Sequence, residues 1–315
     1  MKKLSFFLFF TFFISHYLMG QIASSNSEEI EISHLISGTL LVPQKTSPIP
    51  LAIIIAGSGP TDRDGNQPMM KNNSLRFLAE ELVENDIATF RYDKRLIKLI
   101  QTRNIVERNI RFGDFIEDAI DVLHHFKNDE RFSKIFIIGH SQGSLIGMIA
   151  AKEGADGFIS IAGAGQEIDD VIVDQLEAQA PQLKESARIA FDDLRSNGYA
   201  AGYDPGLASI LRKEIQPFLL TWMQYDPKEE IKKLNIPVLL INGDKDFQVQ
   251  LSELELLAKA KPDGQKKIIR GMNHILKKVD DMGLENQKTY NIHHLPIIPE
   301  LTAIISKFIH KNSSR

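Results

Sequence analysis

Three side chains in this sequence could together break an acyl bond. Ser141 sits in Gly139-His140-Ser141-Gln142-Gly143, a G-x-S-x-G pentapeptide. A serine hydroxyl is a weak nucleophile until a base takes its proton, and that base needs a carboxylate to hold its tautomer. The base candidate is His274, just after Gly271-Met272-Asn273. The carboxylate candidate is Asp246 in Asn242-Gly243-Asp244-Lys245-Asp246, taken ahead of Asp244. Serine, acid, histidine is the chain order that accompanies this pentapeptide on a strand-turn-helix scaffold. His293 and His294 are weaker base candidates. The plain alternatives are that the aspartates shape a turn and that the histidines are surface residues.

A developing oxyanion needs two donors. One candidate is the Gln142 amide, at the start of the segment after the serine, where a helix dipole favours negative charge. The other is the Ser58 amide in Gly57-Ser58-Gly59, whose glycines let the backbone approach a ligand. Gly57, Gly59, His140 and Trp222 are candidate substrate contacts. Against them stand a simple glycine turn, a packing histidine and a core aromatic. Phe218, Leu219, Trp222, Met223 and Tyr225 form an apolar cluster that reads first as core packing and second as an acyl site. Asp62, Arg63 and Asp64 read as local ion pairs and turn bonds rather than substrate contacts. This chemistry calls for no metal and no organic cofactor.

These residues need elements to hold them. Lys134 to Ile138 is an isoleucine-rich run that reads as a buried strand. The pentapeptide follows as a tight turn, and Ser144 to Lys152 reads as a packed helix. Strands are expected at Ile36 to Val42, Leu51 to Ala56, Ile87 to Tyr92, Phe158 to Ala162, Ile236 to Ile241 and Lys267 to Arg270. Helices are expected from Asn73, from Asp114-x-x-Glu117, from Ser252-x-x-Glu255, and across Leu301 to Ile309. Lys94 to Arg111 has a basic excess and no clear element. It reads as a solvated loop, with preference for an anionic substrate as the alternative. Strand and helix alternate, which predicts an α/β chain with a mostly parallel sheet and helices on both faces. The alternation breaks between 166 and 235, where helical patterns occur without a good strand. The expected organisation is a core of 21–165 and 236–315 with a helical cap insertion at 166–235.

Length and charge bound the rest. A chain of 315 residues buries a core easily, and a net charge of −4 gives no pull toward nucleic acid. There is no cysteine, which removes disulfides, thiolate catalysis and cysteine metal sites. Lys2-Lys3, the apolar run from Leu4 to Phe13, Gly20 and a polar stretch after it read in order as a secretory signal over 1–20. The expectation is an exported protein without a stable membrane anchor after cleavage, acting on a small-molecule ester. An uncleaved N-terminal anchor is the alternative.

Taken together, these residues resemble the α/β-hydrolase superfamily, and more narrowly its bacterial esterase and serine-aminopeptidase-like branch. The resemblance rests on Gly57-Ser58-Gly59-Pro60-Thr61-Asp62-Arg63-Asp64-Gly65-Asn66, on Arg91-Tyr92-Asp93-Lys94-Arg95, and on the Pro-x-Leu-x-Ile-x-Gly-x-x-Asp pattern from Pro237 to Asp246. It implies the α/β-hydrolase fold and a carboxylesterase-like activity, with a peptidase or an inert binding protein as alternatives. The branch follows its Asp-x-Arg with Gly-x-Gly-x-Ser. Here Leu96-Ile97-Lys98-Leu99 follows instead, which bears on substrate preference.

Overall fold

The computed structural model describes residues 25–45 and 48–314. The stretch read as a signal, 1–20, lies outside them. Eight strands form one sheet in the order β1-β2-β4-β3-β5-β6-β7-β8. They are β1 Ser25–Glu31, β2 Ser37–Pro43, β3 Ile49–Ile55, β4 Ala88–Tyr92, β5 Phe132–His140, β6 Gly157–Ile161, β7 Val238–Gly243 and β8 Gln265–Ile269. β1 with β2, and β2 with β4, run antiparallel. The remaining pairs are parallel.

Helices cover both faces. They are α1 Ser74–Glu84, α2 Arg95–Gln101, α3 Phe112–Phe126, α4 Gln142–Ala151, α5 Ile168–Gln179, α6 Lys184–Asn197, α7 Ala208–Leu211, α8 Gln216–Trp222, α9 Pro227–Lys232, α10 Leu251–Ala260, α11 Leu284–Lys288 and α12 Pro299–Ser313. Along β3, Leu51, Ile53 and Ile55 join one apolar cluster with α3 and α4, while Ala52 and Ile54 join the other with α1 and α12. The period-2 alternation of side chains therefore buries both faces. That is why these strands read as unbroken apolar runs. A third cluster, from Val173 to Met223, belongs to the helices between β6 and β7. Ile231 of α9 and Leu234 pack instead with the sheet-face cluster.

Three segments differ from the sequence reading. β1 was not expected: its residues, Ser-Asn-Ser-Glu-Glu-Ile-Glu, are poor strand formers, and pairing with β2 along its whole length holds it. The basic 94–111 segment contains α2 and a short 3₁₀ turn, Glu107–Asn109. α3 begins at Phe112, two residues before the expected start. Asp114 is not the cap but the third helical residue, accepting from the Arg111 amide at 2.7 Å.

Register puts the chemistry at one edge. Ile55 lies opposite Gly139, and Gly243 opposite Ile269. The C-terminal ends of β3, β5, β7 and β8 are thus level, and the loops leaving them meet.

Candidate active site

Ser141 stands between β5 and α4 with φ 55° and ψ −121°, a backbone conformation that costs an L-residue on the order of 1–3 kcal/mol. Two glycines make the turn possible. A Cβ on Gly139 would lie 2.2 Å from the Gly143 carbonyl oxygen, and one on Gly143 would lie 2.3 Å from the Ile55 oxygen. The turn is pinned by the Ser141 amide donating to Ile161 O at 2.9 Å and the Ser144 amide donating to Ser141 O at 2.8 Å. The serine side chain is half-buried and open to a cavity.

His274 and Asp246 are both buried. The imidazole Nδ1 lies 2.8 Å from Asp246 Oδ2. The other carboxylate oxygen accepts the Gln248 and Val249 amides at 2.8 and 2.9 Å, so the acid cannot swing away. Asp244 is used otherwise: its Oδ1 accepts the Gly271 amide at 2.6 Å and shapes the loop that carries His274. Asn273, 1% exposed, fastens that loop by donating to Asn286 Oδ1 and Thr289 Oγ1, each at 2.9 Å. Ser141 and His274 line one small cavity of about 100 Å³ with Gly57, Ser58, His140, Gln248 and Tyr290. Among the described residues there is no hydrogen bond between the serine hydroxyl and the imidazole.

His140 is buried against His274, with ring centroids 4.9 Å apart. Its Nε2 lies 2.8 Å from the His274 carbonyl oxygen, which can only accept, so Nε2 carries the proton. Burial first, and the neighbouring His274 second, push its pKa down to about 4. It is therefore neutral at pH 7 and braces the histidine loop. His293 and His294 are exposed; His293 lines a separate polar groove on the Asp62–Asn73 loop.

The Ser58 and Gln142 amides make no hydrogen bond among the described residues. The Ser58 carbonyl is fixed instead, accepting Thr61 Oγ1 at 2.7 Å and Gln67 Nε2 at 2.9 Å. A Cβ on Gly57 would sit 3.2 Å from Ser141 Cβ, so this loop passes directly beside the serine. Gly59 turns it with φ +80°. Asp62, Arg63 and Asp64 brace the loop from behind. Asp62 Oδ1 accepts the amides of residues 64 and 66, Arg63 pairs with Asp93 and Glu29, and Asp64 pairs with Arg91.

One residue of the site was not anticipated. Lys94 is 3% exposed, and its Nζ donates to Gly57 O at 2.8 Å and to Gln142 Oε1 at 2.5 Å. It also lies 4.5 Å from the centroid of the Phe115 ring. Burial pushes its pKa down to about 7. One ammonium thus ties the loop after β3 to the residue following the serine. Its position after β4 placed it at the sheet edge in sequence, but a lysine there reads as solvated.

Trp222 stacks on Phe112 of α3, centroids 5.1 Å apart and planes 7° apart. Its other side faces two cavities. One, about 330 Å³, reaches Ser141; the second, about 270 Å³, lies on the Lys94 side. Both are bordered by Ser58 and Gln142.

A family described as serine aminopeptidase, S33, matches residues 72–278. Esterase EstD of Thermotoga maritima is 28% identical over 252 residues, which cover 75% of this chain and 56% of that protein. The chain thus spans little more than half the length of that curated relative. Among solved structures, Est1E from Butyrivibrio proteoclasticus superposes with a TM-score of 0.59 at 18% identity, covering 92% of this chain and 99% of that one. The proline iminopeptidase of Mycobacterium smegmatis gives 0.53 at 13% identity, covering 92% and 99%. At such identities these two likenesses speak for the fold alone. With sheet order, strand-turn-helix context and the family match in agreement, the chain belongs to the serine aminopeptidase, S33, family of α/β hydrolases.

Proposed function

We propose that this protein is a serine hydrolase that cleaves carboxylic esters through an acyl-enzyme. The observation that carries the reading is that Ser141, on its strained turn, and His274, held by Asp246, line one cavity. His274 takes the proton of Ser141 as the hydroxyl oxygen attacks the carbonyl carbon. Asp246 holds the Nδ1–H tautomer and stabilises the imidazolium. The free Ser58 and Gln142 amides receive the oxyanion, each contributing roughly 3–4 kcal/mol to lowering the barrier. Lys94 ties the carbonyl just before the Ser58 amide to the Gln142 side chain, which steadies the Ser58 loop beside the Gln142 donor. His274 then protonates the leaving alcohol, and in the second half it activates the water that releases the acid. Resting hydroxyl and imidazole are not bonded; catalytic contacts of this kind often tighten only when substrate is bound.

The family description keeps a peptidase in view. An aminopeptidase needs an anion for the substrate amine. Among the described residues no carboxylate lines the two cavities bordered by Ser141. Glu107, beside the third, is already paired with Arg212. Asp174, Glu177 and Glu253 line a neighbouring cavity, away from Ser141. The lack, among the described residues, of a carboxylate lining the serine's own cavities supports the ester reading. A fluorophosphonate probe should label wild type and not Ser141→Ala, and aryl esters should be turned over in preference to aminoacyl arylamides. Labelling of the alanine variant, or the reverse preference, overturns the reading. Export through 1–20 belongs to the same proposal. N-terminal sequencing of the protein recovered outside the cytoplasm should begin near Gln21.

A further inference from the structure

The cavity on the Lys94 side has walls that the proposed chemistry does not need. Leu96 and Ile100 come from α2, Ile105 and Ile110 from the segment after it, and Ile215 and Phe218 from the cap side. Leu96 and Ile100 are four apart, so they share one helical face. Ile100 remains 44% exposed. Together with Ile105 and Ile110, Leu96 and Ile100 form an aliphatic wall.

The cavity also contains two cations, but neither is free. Lys94 has three N–H donors; two go to Gly57 O and Gln142 Oε1, and the ammonium lies over the Phe115 ring. Arg212 makes paired contacts to Glu107 at 2.7 and 2.8 Å, strapping the cap to the segment after α2. An anionic chain end would have to compete with Glu107 for Arg212 and with Gly57 O and Gln142 Oε1 for Lys94, and burying it would be costly. An uncharged aliphatic chain fits.

Position decides which part of an ester enters. The leaving alcohol must lie beside His274, which protonates it. His274 borders the cavity of about 100 Å³, not this one. This one is bordered by Ser58, Gly59 and Gln142, on the oxyanion side, and it adjoins the cavity that reaches Ser141 across their shared Ser58, Gln142 and Trp222. Its volume is about 270 Å³. That is below the size of a drug-sized site and suits a chain of medium length, on the order of six to eight carbons, rather than a long one. Resting on the ester-hydrolase reading, we propose that this cavity is a binding compartment for an uncharged, medium-length aliphatic acyl chain, and that Leu96 and Ile100 set its length.

The test uses aryl esters with one leaving group and acetyl, butanoyl, hexanoyl, octanoyl or dodecanoyl chains. The ratio kcat/KM should climb roughly fourfold per added methylene up to hexanoyl or octanoyl, then fall at dodecanoyl. The hexanoyl analogue ending in a carboxylate should be at least about tenfold poorer than hexanoyl. Leu96→Phe and Ile100→Phe, each tested alone, should lower the hexanoyl-to-acetyl ratio about tenfold and move the optimum to shorter chains. A flat series, a preferred carboxylate-ended chain, or an unmoved ratio in both variants overturns the proposal. Binding is read separately, because Trp222 is the chain's sole tryptophan and borders the compartment. Methyl hexanoate titrated into Ser141→Ala should change its emission saturably, with about tenfold weaker affinity when Ile100→Phe is added. No saturable change overturns the compartment. If no ester is turned over and the fluorophosphonate leaves Ser141 unlabelled, the hydrolase reading fails, while the emission titration still decides the compartment.

Discussion

A buried ammonium is the least expected side chain in this site. Lys94 is carried out of water between two loops, and its lowered pKa of about 7 records that cost. Above that value the folded protein holds the amine neutral, while the unfolded chain stays protonated up to its ordinary 10.5. The unfolded state then binds more protons, so the penalty eases as pH rises from about 7 toward 10.5. The return is geometric: Nζ spans Gly57 O and Gln142 Oε1, flanking both proposed oxyanion donors. Lys94→Met should therefore separate stability from turnover. We expect kcat to fall by about 10–100-fold, with KM changed less, because the donors are needed most at the transition state. Urea unfolding at several pH values should show the wild type gaining on Lys94→Met between about pH 7 and 10.5. Equal kcat, or a stability difference independent of pH, would contradict the assignment.

At the scale of elements, the turn between β5 and α4 works because backbone meets backbone there. Gly143 lies against the Ile55 and Ala56 oxygens, where a methyl would sit at 2.3 and 2.7 Å. Neither oxygen belongs to a flexible side chain, so Gly143→Ala must displace β3 or α4. We expect a loss of about 1–3 kcal/mol or more, read as a drop in Tm of several degrees. Gly113, in the first turn of α3, has nothing within 4 Å of a built Cβ. Gly113→Ala should be neutral or raise stability by up to about 1 kcal/mol. Similar losses in both would show that glycine count, not close approach, governs. The same contrast explains what the sequence made legible. β3, β5 and β7 are buried on both faces, so composition alone marks them, and the loops at their ends carry the glycine-rich turn, Ser141 and Asp246. An α/β chain with a mostly parallel sheet was readable on that basis, and the resemblance carried by the loop motifs narrowed it to the α/β-hydrolase fold. β1 and α2 were not, for different reasons. β1 is a polar edge strand held by its neighbour, and α2 is only 7 residues long and buries none of them fully, so its apolar face is too short to mark a helix. The burial of Lys94 was illegible because its partners lie 37 and 48 residues away and close over it only in the folded chain.

Across the whole molecule, apolar packing is distributed unequally. The sheet is sandwiched between two clusters that share its strands, and its edges, β1 and β8, are polar: β8 contributes Gln265, Lys266 and Lys267. Such edges discourage pairing with a second chain. The helices between β6 and β7, the proposed cap, have a separate, smaller cluster built on Phe191, Leu194, Leu207, Leu219 and Met223. Their attachment to the core is uneven: Phe218, Trp222 and Tyr225 pack on Phe112 of α3, while α5 and α6 lean mainly on polar links. The Phe112 amide donates to Thr221 Oγ1 at 2.9 Å, Trp222 stacks on Phe112, Gln175 donates to Gln248 O at 2.8 Å, and Arg212 pairs with half-exposed Glu107. An ion pair that exposed contributes little, on the order of 1 kcal/mol or less. Local opening follows the least buried connections. Hydrogen exchange in increasing urea should therefore strip protection from α5 and α6 before β3, β5, β6 and β7. Coincident loss in cap and sheet would mean one cooperative unit. The order matters for the chemistry, since Ile168, Val171, Ile172, Gln175 and Trp222 wall the cavity that reaches Ser141. A cap that opens at lower free energy than the sheet lets substrate enter while the sheet, with the serine turn and the His274–Asp246 pair on its edge, stays formed.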